Sequence, residues 1–183
     1  VRARPSHRYD GWRVFILING PLGIGKSTLA EALAESIDQC VMLDGDHLAA
    51  VNPPPPNPVE HLLSTIALVV SHHRRFGYHH FVINHLWRTP EELDDLRRRL
   101  RDADAAAGIH CFLLTLPLDD NLRRIERRQG ARALDEQEFE QRTVAEEREV
   151  LYSRAPGSVG EPFDVSAPPE ELVATMMRRV GLC

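Results

Sequence analysis

The sequence predicts a three-layer α/β fold: a five-stranded parallel sheet, helices on both of its faces and a small helical lid. Three observations lead there. Short apolar runs alternate with amphipathic stretches of helical length from Val14 to the carboxyl terminus, the order that builds right-handed βαβ crossovers. The first run is continuously apolar, as in a central strand covered on both faces. Finally, 183 residues with 43% hydrophobic content suffice for one substantial core and not for two, so residues 1–183 are expected to form a single domain with 1–11 as a flexible tail.

In order, residues 14–19 (Val-Phe-Ile-Leu-Ile-Asn) form the first strand, and a glycine-rich turn follows. Residues 27–37 place Leu29, Ala32, Leu33 and Ile37 at helical spacing. A second strand, 40–43, ends in Asp44-Gly45-Asp46, and the prolines of 52–58 predict a loop. Residues 60–76 read as a helix closed by Gly77, and 81–84 as the third strand. Thr89-Pro90-Glu91-Glu92 has the form of a capping box with proline at the first helical position; its helix is expected to run to about 107 with Gly108 as its stop. Residues 109–116 are the fourth strand. Two polar helices, 119–128 and 135–151, make residues 119–151 the lid-bearing segment, and a fifth strand (163–165) and a last helix (169–180) complete the pattern.

The net charge of −5 argues against binding duplex nucleic acid, which attracts basic domains. No apolar stretch is long enough to span a membrane and the amino terminus is polar, so a cytoplasmic protein without a membrane partner is expected. Cys40, Cys111 and Cys183 lack the spacing of a zinc knuckle or a disulfide framework; Cys40 and Cys111 fall in strand-like runs and read as small buried hydrophobes. The nine histidines show no consistent ligand spacing. Of the 22 basic residues only Lys26 is a lysine, which suggests a position where a guanidinium does not fit.

Lys26 lies in Gly20-Pro21-Leu22-Gly23-Ile24-Gly25-Lys26-Ser27, which matches the phosphate-binding pattern G-x-x-x-x-G-K-[ST] between a strand and a helix. Glycines let backbone N–H groups turn toward an anion, and the helix N-terminus adds donors and a favourable dipole. Gly20, Leu22, Gly23, Ile24, Gly25, Lys26, Ser27 and Thr28 are therefore expected to hold ATP, with the Lys26 ammonium at the β- and γ-phosphates and the Ser27 hydroxyl on Mg²⁺. Asp44 and Asp46 stand at the carboxyl end of the second strand, on the crevice side of an open parallel sheet. Asp44 is assigned to the metal, and Asp46 to orienting and deprotonating an acceptor hydroxyl. Arg123, Arg124, Arg127, Arg128 and Arg132 either form a solvated basic face or supply charge to the triphosphate; Arg128 is the catalytic candidate, and Arg124 and Arg132 the nucleotide contacts. His47, Asn52 and Arg88, with His85 and Trp87, are candidates for the acceptor pocket.

From Gly20 to Asp46 the chain resembles the P-loop small-molecule kinases: gluconate, adenylylsulfate and shikimate kinases and the chloramphenicol phosphotransferase group. Leu43-Asp44-Gly45-Asp46-His47-Leu48 looks most like the Leu-Asp-Gly-Asp segment of gluconate and adenylylsulfate kinases. The resemblance implies a three-layer P-loop NTPase fold, Asp46 at the phosphate-accepting group, Arg124, Arg128 and Arg132 in a lid over ATP, and the adenine near Phe163-Asp164-Val165-Ser166. The chain departs from gluconate kinase in lacking a Lys-Met segment after the acidic motif, and Asn84 stands where an acid is usual. The expected activity is transfer of the γ-phosphate of ATP to a hydroxyl of a small molecule such as a sugar acid, nucleoside or antibiotic. Alternatives are a kinase of nucleic-acid ends or of a nucleotide sugar, like the zeta toxins, and a nucleotide-binding switch. The last lacks a lysine for the Asn-Lys-x-Asp motif that reads guanine.

Overall fold

The computed structural model describes residues 12–128 and 134–182, with residues 128 and 134–138 described through their backbone alone. Five parallel strands form one sheet in the order β2-β3-β1-β4-β5: β1 (Val14–Asn19), β2 (Cys40–Asp44), β3 (His80–Asn84), β4 (Gly108–Thr115) and β5 (Glu161–Asp164). The helices are α1 (Lys26–Ser36), α2 (Gly45–Ala49), α3 (Pro58–Arg75), α4 (Pro90–Ala103), α5 (Leu118–Arg128), α6 (Leu134–Tyr152) and α7 (Pro169–Arg179). The three-layer reading holds, and the strand order reverses beside β1, where open parallel sheets form a ligand crevice.

Why β1 is continuously apolar follows from its place. Every residue of it is buried. Val14, Ile16 and Ile18 pack with Leu29 and Leu33 of α1 and Val173 and Met176 of α7, whereas Phe15 and Leu17 face Leu63 and Ile66 of α3 and Leu96 and Leu100 of α4. The two-residue period of a strand divides one apolar run between two cores. Both fix the end of β1 from which the glycine-rich turn departs.

Element bounds agree with the sequence reading to within two residues, with three corrections. Residues 45–49 form a short helix that the Asp-Gly-Asp segment concealed, because Asp44 turns its carboxylate onto the N–H groups of Asp46 and His47 and caps it. Pro58 opens α3 instead of ending the loop: Asn57 caps the helix by accepting from the Glu60 N–H, and a proline in the first turn sacrifices no hydrogen bond. Helix α4 stops at Ala103, and Gly108 belongs to β4. Its C-cap, Asp104, is 7% exposed and extended, and its carboxylate pairs with Arg74 at 2.5 Å and Arg13 at 3.3 Å, a pull from outside the helix that the sequence does not display.

The cysteine reading stands for the two described thiols. Cys111 is buried and Cys40 half-buried, and burial pushes each thiol up to about 12, which leaves them protonated and unreactive at neutral pH.

Candidate functional site

The site grows from Asn19, the last residue of β1 and fully buried. Its side-chain amide donates to the carbonyls of Trp87 (2.9 Å) and Val159 (3.0 Å), and its oxygen accepts from the N–H groups of Gly20 (2.8 Å) and Trp87 (3.0 Å). One side chain thus ties the start of the glycine-rich turn to the segments after β3 and before β5. Sequence reasoning missed this clamp, since an asparagine closing an apolar run gives no sign of its partners. Asn19→Leu leaves four buried polar groups unpaired at about 1–3 kcal/mol each before relaxation. We expect urea unfolding to show a loss of at least about 2 kcal/mol; a variant as stable as wild type would show that the clamp is dispensable.

Past Asn19 the turn wraps back toward α1. Gly23 has φ 73°, and a Cβ there would lie 2.3 Å from Cγ1 of Ile125, so the backbone conformation and the packing of α5 both require glycine. Gly25, also left-handed at φ 106°, precedes α1 and offers it no side-chain cap. The first-turn N–H groups of α1 therefore face the crevice as anion donors. Lys26 folds over the turn, its Nζ donating to the carbonyls of Gly20 (2.8 Å) and Pro21 (3.1 Å).

Beside this turn stands the acidic pair. Asp44 Oδ2 accepts from Ser27 Oγ at 3.0 Å and from Asn84 Nδ2 at 2.9 Å, while Oδ1 caps α2. Burial alone would raise the Asp44 pKa, but the hydrogen bonds from Asn84, Ser27 and the Asp46 N–H outweigh it and hold the carboxylate below its ordinary value. Asp46 points elsewhere: its Oδ1 lies 2.8 Å from Nδ1 of His85. That hydrogen bond, followed by the charges of His85, Lys26 and His47, keeps Asp46 below the usual carboxylate range despite some burial. The two acids, one glycine apart, serve different neighbours.

The oxygens of Ser27 and Asp44 suit a hard cation, and the Oδ1 of buried Asn84 beside them has no hydrogen-bond partner. Among the described residues no three His, Cys, Asp or Glu side chains converge into a metal cage. Mg²⁺ held with a nucleotide needs none, because phosphates and waters complete its octahedron.

One cleft borders the turn and a second borders His85. The first, of about 370 Å³, is lined by Ile24, Thr28, Leu29, Val165, Ala167 and Leu172 together with Arg124 and Arg127. Arg124 donates to the carbonyls of Ile24 (2.9 Å) and Val165 (2.6 Å), which makes it a brace between the phosphate turn and the segment after β5. Arg123 pairs with Asp120 at 2.5 Å. The side chain of Arg128 and the whole of Arg132 lie outside the described residues, as do residues 1–11. The other cleft, of about 270 Å³, lies beyond Asp46 and takes its walls from α2, the start of α3 and residues 85–88. His85, Trp87 and Arg88 line it; His47 and Asn52 are exposed and line neither cleft, and His47 contributes its backbone N–H to Asp44.

A second residue, an acid, also went unpredicted. Glu147 of α6 is 8% exposed, accepts from the Leu22 N–H at 2.7 Å and stands 3.7 Å from Arg88. Its signal was positional: Val144, Glu147 and Leu151 share a buried face at spacings of three and four, and an acid on such a face calls for a partner.

No protein-family model matches the chain, and no curated protein matches it. Among solved structures it is similar to a gluconokinase from Sinorhizobium meliloti 1021 (TM-score 0.67, 18% identity, 93% of each chain covered). It is similar to the tunicamycin resistance protein of Deinococcus radiodurans (TM-score 0.66, 18% identity, 93% of this chain and 97% of that one). A third likeness is to shikimate kinase from Bacteroides thetaiotaomicron (TM-score 0.57, 16% identity, 92% and 99%). At these identities the likeness shows the fold, which is P-loop kinase-like.

Proposed function

We propose that this protein transfers the γ-phosphate of ATP to a hydroxyl group of a small molecule. The observation that carries the reading is the joining of two strand ends. The phosphate-binding turn after β1 and the acids after β2 meet through the 3.0 Å bond between Ser27 and Asp44, which leaves Asp46 beyond them on the acceptor side. A turn that only bound nucleotide would need no second carboxylate held ionised there. Two of the similar structures, the gluconokinase and the shikimate kinase, are kinases, which supports the same reading.

In this mechanism the backbone N–H groups of Gly23 to Thr28 and the Lys26 ammonium hold the β- and γ-phosphates, while the Leu22 N–H, expected from the sequence to join them, stays with Glu147. The cleft lined by Ile24, Leu29, Val165 and Leu172 takes the base, with Arg124 at its edge. Ser27 and Asp44 would hold Mg²⁺, which when bound neutralises developing charge on the phosphate oxygens. Asp46 orients the acceptor hydroxyl. The acceptor oxygen forms a bond to γ-phosphorus as the bond from γ-phosphorus to the β,γ-bridging oxygen breaks; ADP departs with the electron pair, and the hydroxyl proton passes to Asp46 and then to solvent. Arg128 and Arg132 are proposed to contribute charge from the lid-bearing segment. The test is ADP release from Mg·ATP across a panel of hydroxyl compounds. Release that depends on one acceptor supports the reading, whereas exclusive binding of GTP, or ATP binding with no acceptor-dependent release, overturns it.

The His85 contact makes a further outcome measurable. A carboxylate whose pKa is depressed stays ionised as pH falls and loses its function only on passing through that lowered value. His85→Ala removes the largest cause of the depression, so the acid limb of the kcat/KM profile should move to higher pH, with smaller changes above neutrality. An unmoved acid limb would uncouple the two residues.

A further inference from the structure

Beyond Asp46 the acceptor side of the crevice is not built for a polyhydroxylated compound. The cleft of about 270 Å³ there is walled by Ala49 of α2, by Val59, Leu62 and Leu63 of α3 and by Leu86 and Trp87 after β3. Its polar groups are few and mostly committed. Glu92 accepts from the N–H groups of Arg88 and Thr89 as the capping box of α4, and His85 bonds to Asp46. Arg88 is half-exposed at the rim, where it faces Glu147.

Continuity with the transfer site is carried by two residues. His85 lines this cleft and also touches Asp46; its ring meets the Trp87 indole edge-on at 5.7 Å. Glycine at 45 allows this approach, since a Cβ there would lie 2.7 Å from the imidazole. Arg88 lines it too and reaches, through Glu147, the Leu22 N–H of the phosphate turn. A ligand filling the cleft would therefore place one edge against His85, the hydrogen-bonding neighbour of Asp46.

Resting on the kinase reading, we infer that the phosphate acceptor is a compact alcohol whose non-reacting part is an aromatic or alicyclic face, seated against Ala49, Val59 and Leu86 over the buried Trp87, with its hydroxyl turned toward Asp46. The apolar wall rewards burial of such a face. It penalises a sugar acid or polyol, whose additional hydroxyls would lose water without gaining partners. In the transfer step the acceptor O–P bond forms and the β,γ-bridging O–P bond of ATP breaks, the proton going to Asp46.

Trp87 provides a direct readout, because the chain has two tryptophans and Trp12 stands 49% exposed away from the cleft. In a Trp12→Phe protein holding Mg²⁺ and a non-hydrolysable ATP analogue, 3-phenylpropanol and cyclohexylmethanol are titrated against gluconate, glycerol and uridine while Trp87 emission is followed. The same compounds are then assayed with Mg·ATP for ADP release and for the phosphorylated alcohol. The expected result is saturable binding and phosphorylation of the cyclic alcohols. Ala49→Phe and Val59→Glu, two changes at exposed positions of the cleft, should each raise the KM for the alcohol at least about tenfold while leaving ATP affinity unchanged. Phosphorylation of gluconate, glycerol or uridine alone, insensitive to both variants, overturns this inference and leaves the kinase reading in place. ATP binding with no phosphoryl transfer to any of the five overturns the kinase reading and this inference with it.

Discussion

Lys26→Ala is expected to lower phosphoryl transfer by about 10²–10³-fold, the scale found when one preorganised charge donor is removed from a transition state. The ammonium is held over the phosphate turn by the carbonyls of Gly20 and Pro21 at 2.8 and 3.1 Å, so its position is set before any nucleotide arrives. Such preorganisation makes the charge effective as the bond to γ-phosphorus loosens, since little reorganisation is left for the reaction to drive. Lys26→Arg should be strongly impaired as well: a planar guanidinium is broader than an ammonium and presents its donors in a fixed fork, which does not fit between two carbonyls of a tight turn. Single-turnover transfer, with thermal unfolding to confirm an intact fold, provides the measurement. Wild-type turnover of Lys26→Ala would remove the lysine from the mechanism.

How much of this site the sequence disclosed depended on whether a residue's partner was near it in the chain. Gly20 to Ser27 could be read because strand, turn, cap and helix are consecutive, and each glycine answers to the backbone it belongs to. Asp44 and Asp46 could be placed because the carboxyl ends of neighbouring parallel strands open on one crevice. Their different neighbours were legible only in part. The Ser27 and Asn84 bonds to Asp44 follow from its strand-end position, but the His85 bond to Asp46 depends on how the segment after β3 turns. Asn19 and Glu147 escaped altogether: Asn19 binds Trp87 and Val159, 68 and 140 residues away, Glu147 binds Leu22, 125 residues away, and only packing brings them together. Arg124 was placed at the nucleotide, yet its actual contacts are carbonyls of the turn and of the segment after β5, a bracing role that helical spacing does not reveal. The same limit applied to the cleft beside His85, whose walls come from three separate stretches of chain.

Asp46→Asn should lower kcat by about 10²–10⁴-fold, the range for losing a general base, while ATP affinity stays nearly intact. The two acids differ in what each already holds. Asp44 is occupied on both oxygens, by Ser27 and Asn84 on one and by the cap of α2 on the other, which ties it to the start of α1 and the end of β3. Asp46 has an exposed side chain that is hydrogen-bonded, among the described residues, to His85, which helps to keep it ionised. Because phosphoryl transfer demands little early deprotonation, much of the Asp46 effect would come from positioning, and kcat should fall more than the acceptor KM rises. Asp44→Asn is expected to act differently. It removes a charge beside Ser27 and replaces an acceptor of the Asn84 amide, so nucleotide affinity and the Mg²⁺ requirement should weaken together. Measuring kcat, ATP affinity and the Mg²⁺ dependence for both variants separates the roles. If Asp46→Asn turned over normally while Asp44→Asn lost catalysis with its Mg²⁺ dependence intact, the assignments would exchange. Normal turnover of both would remove the acidic pair, and with it the proposed transfer chemistry.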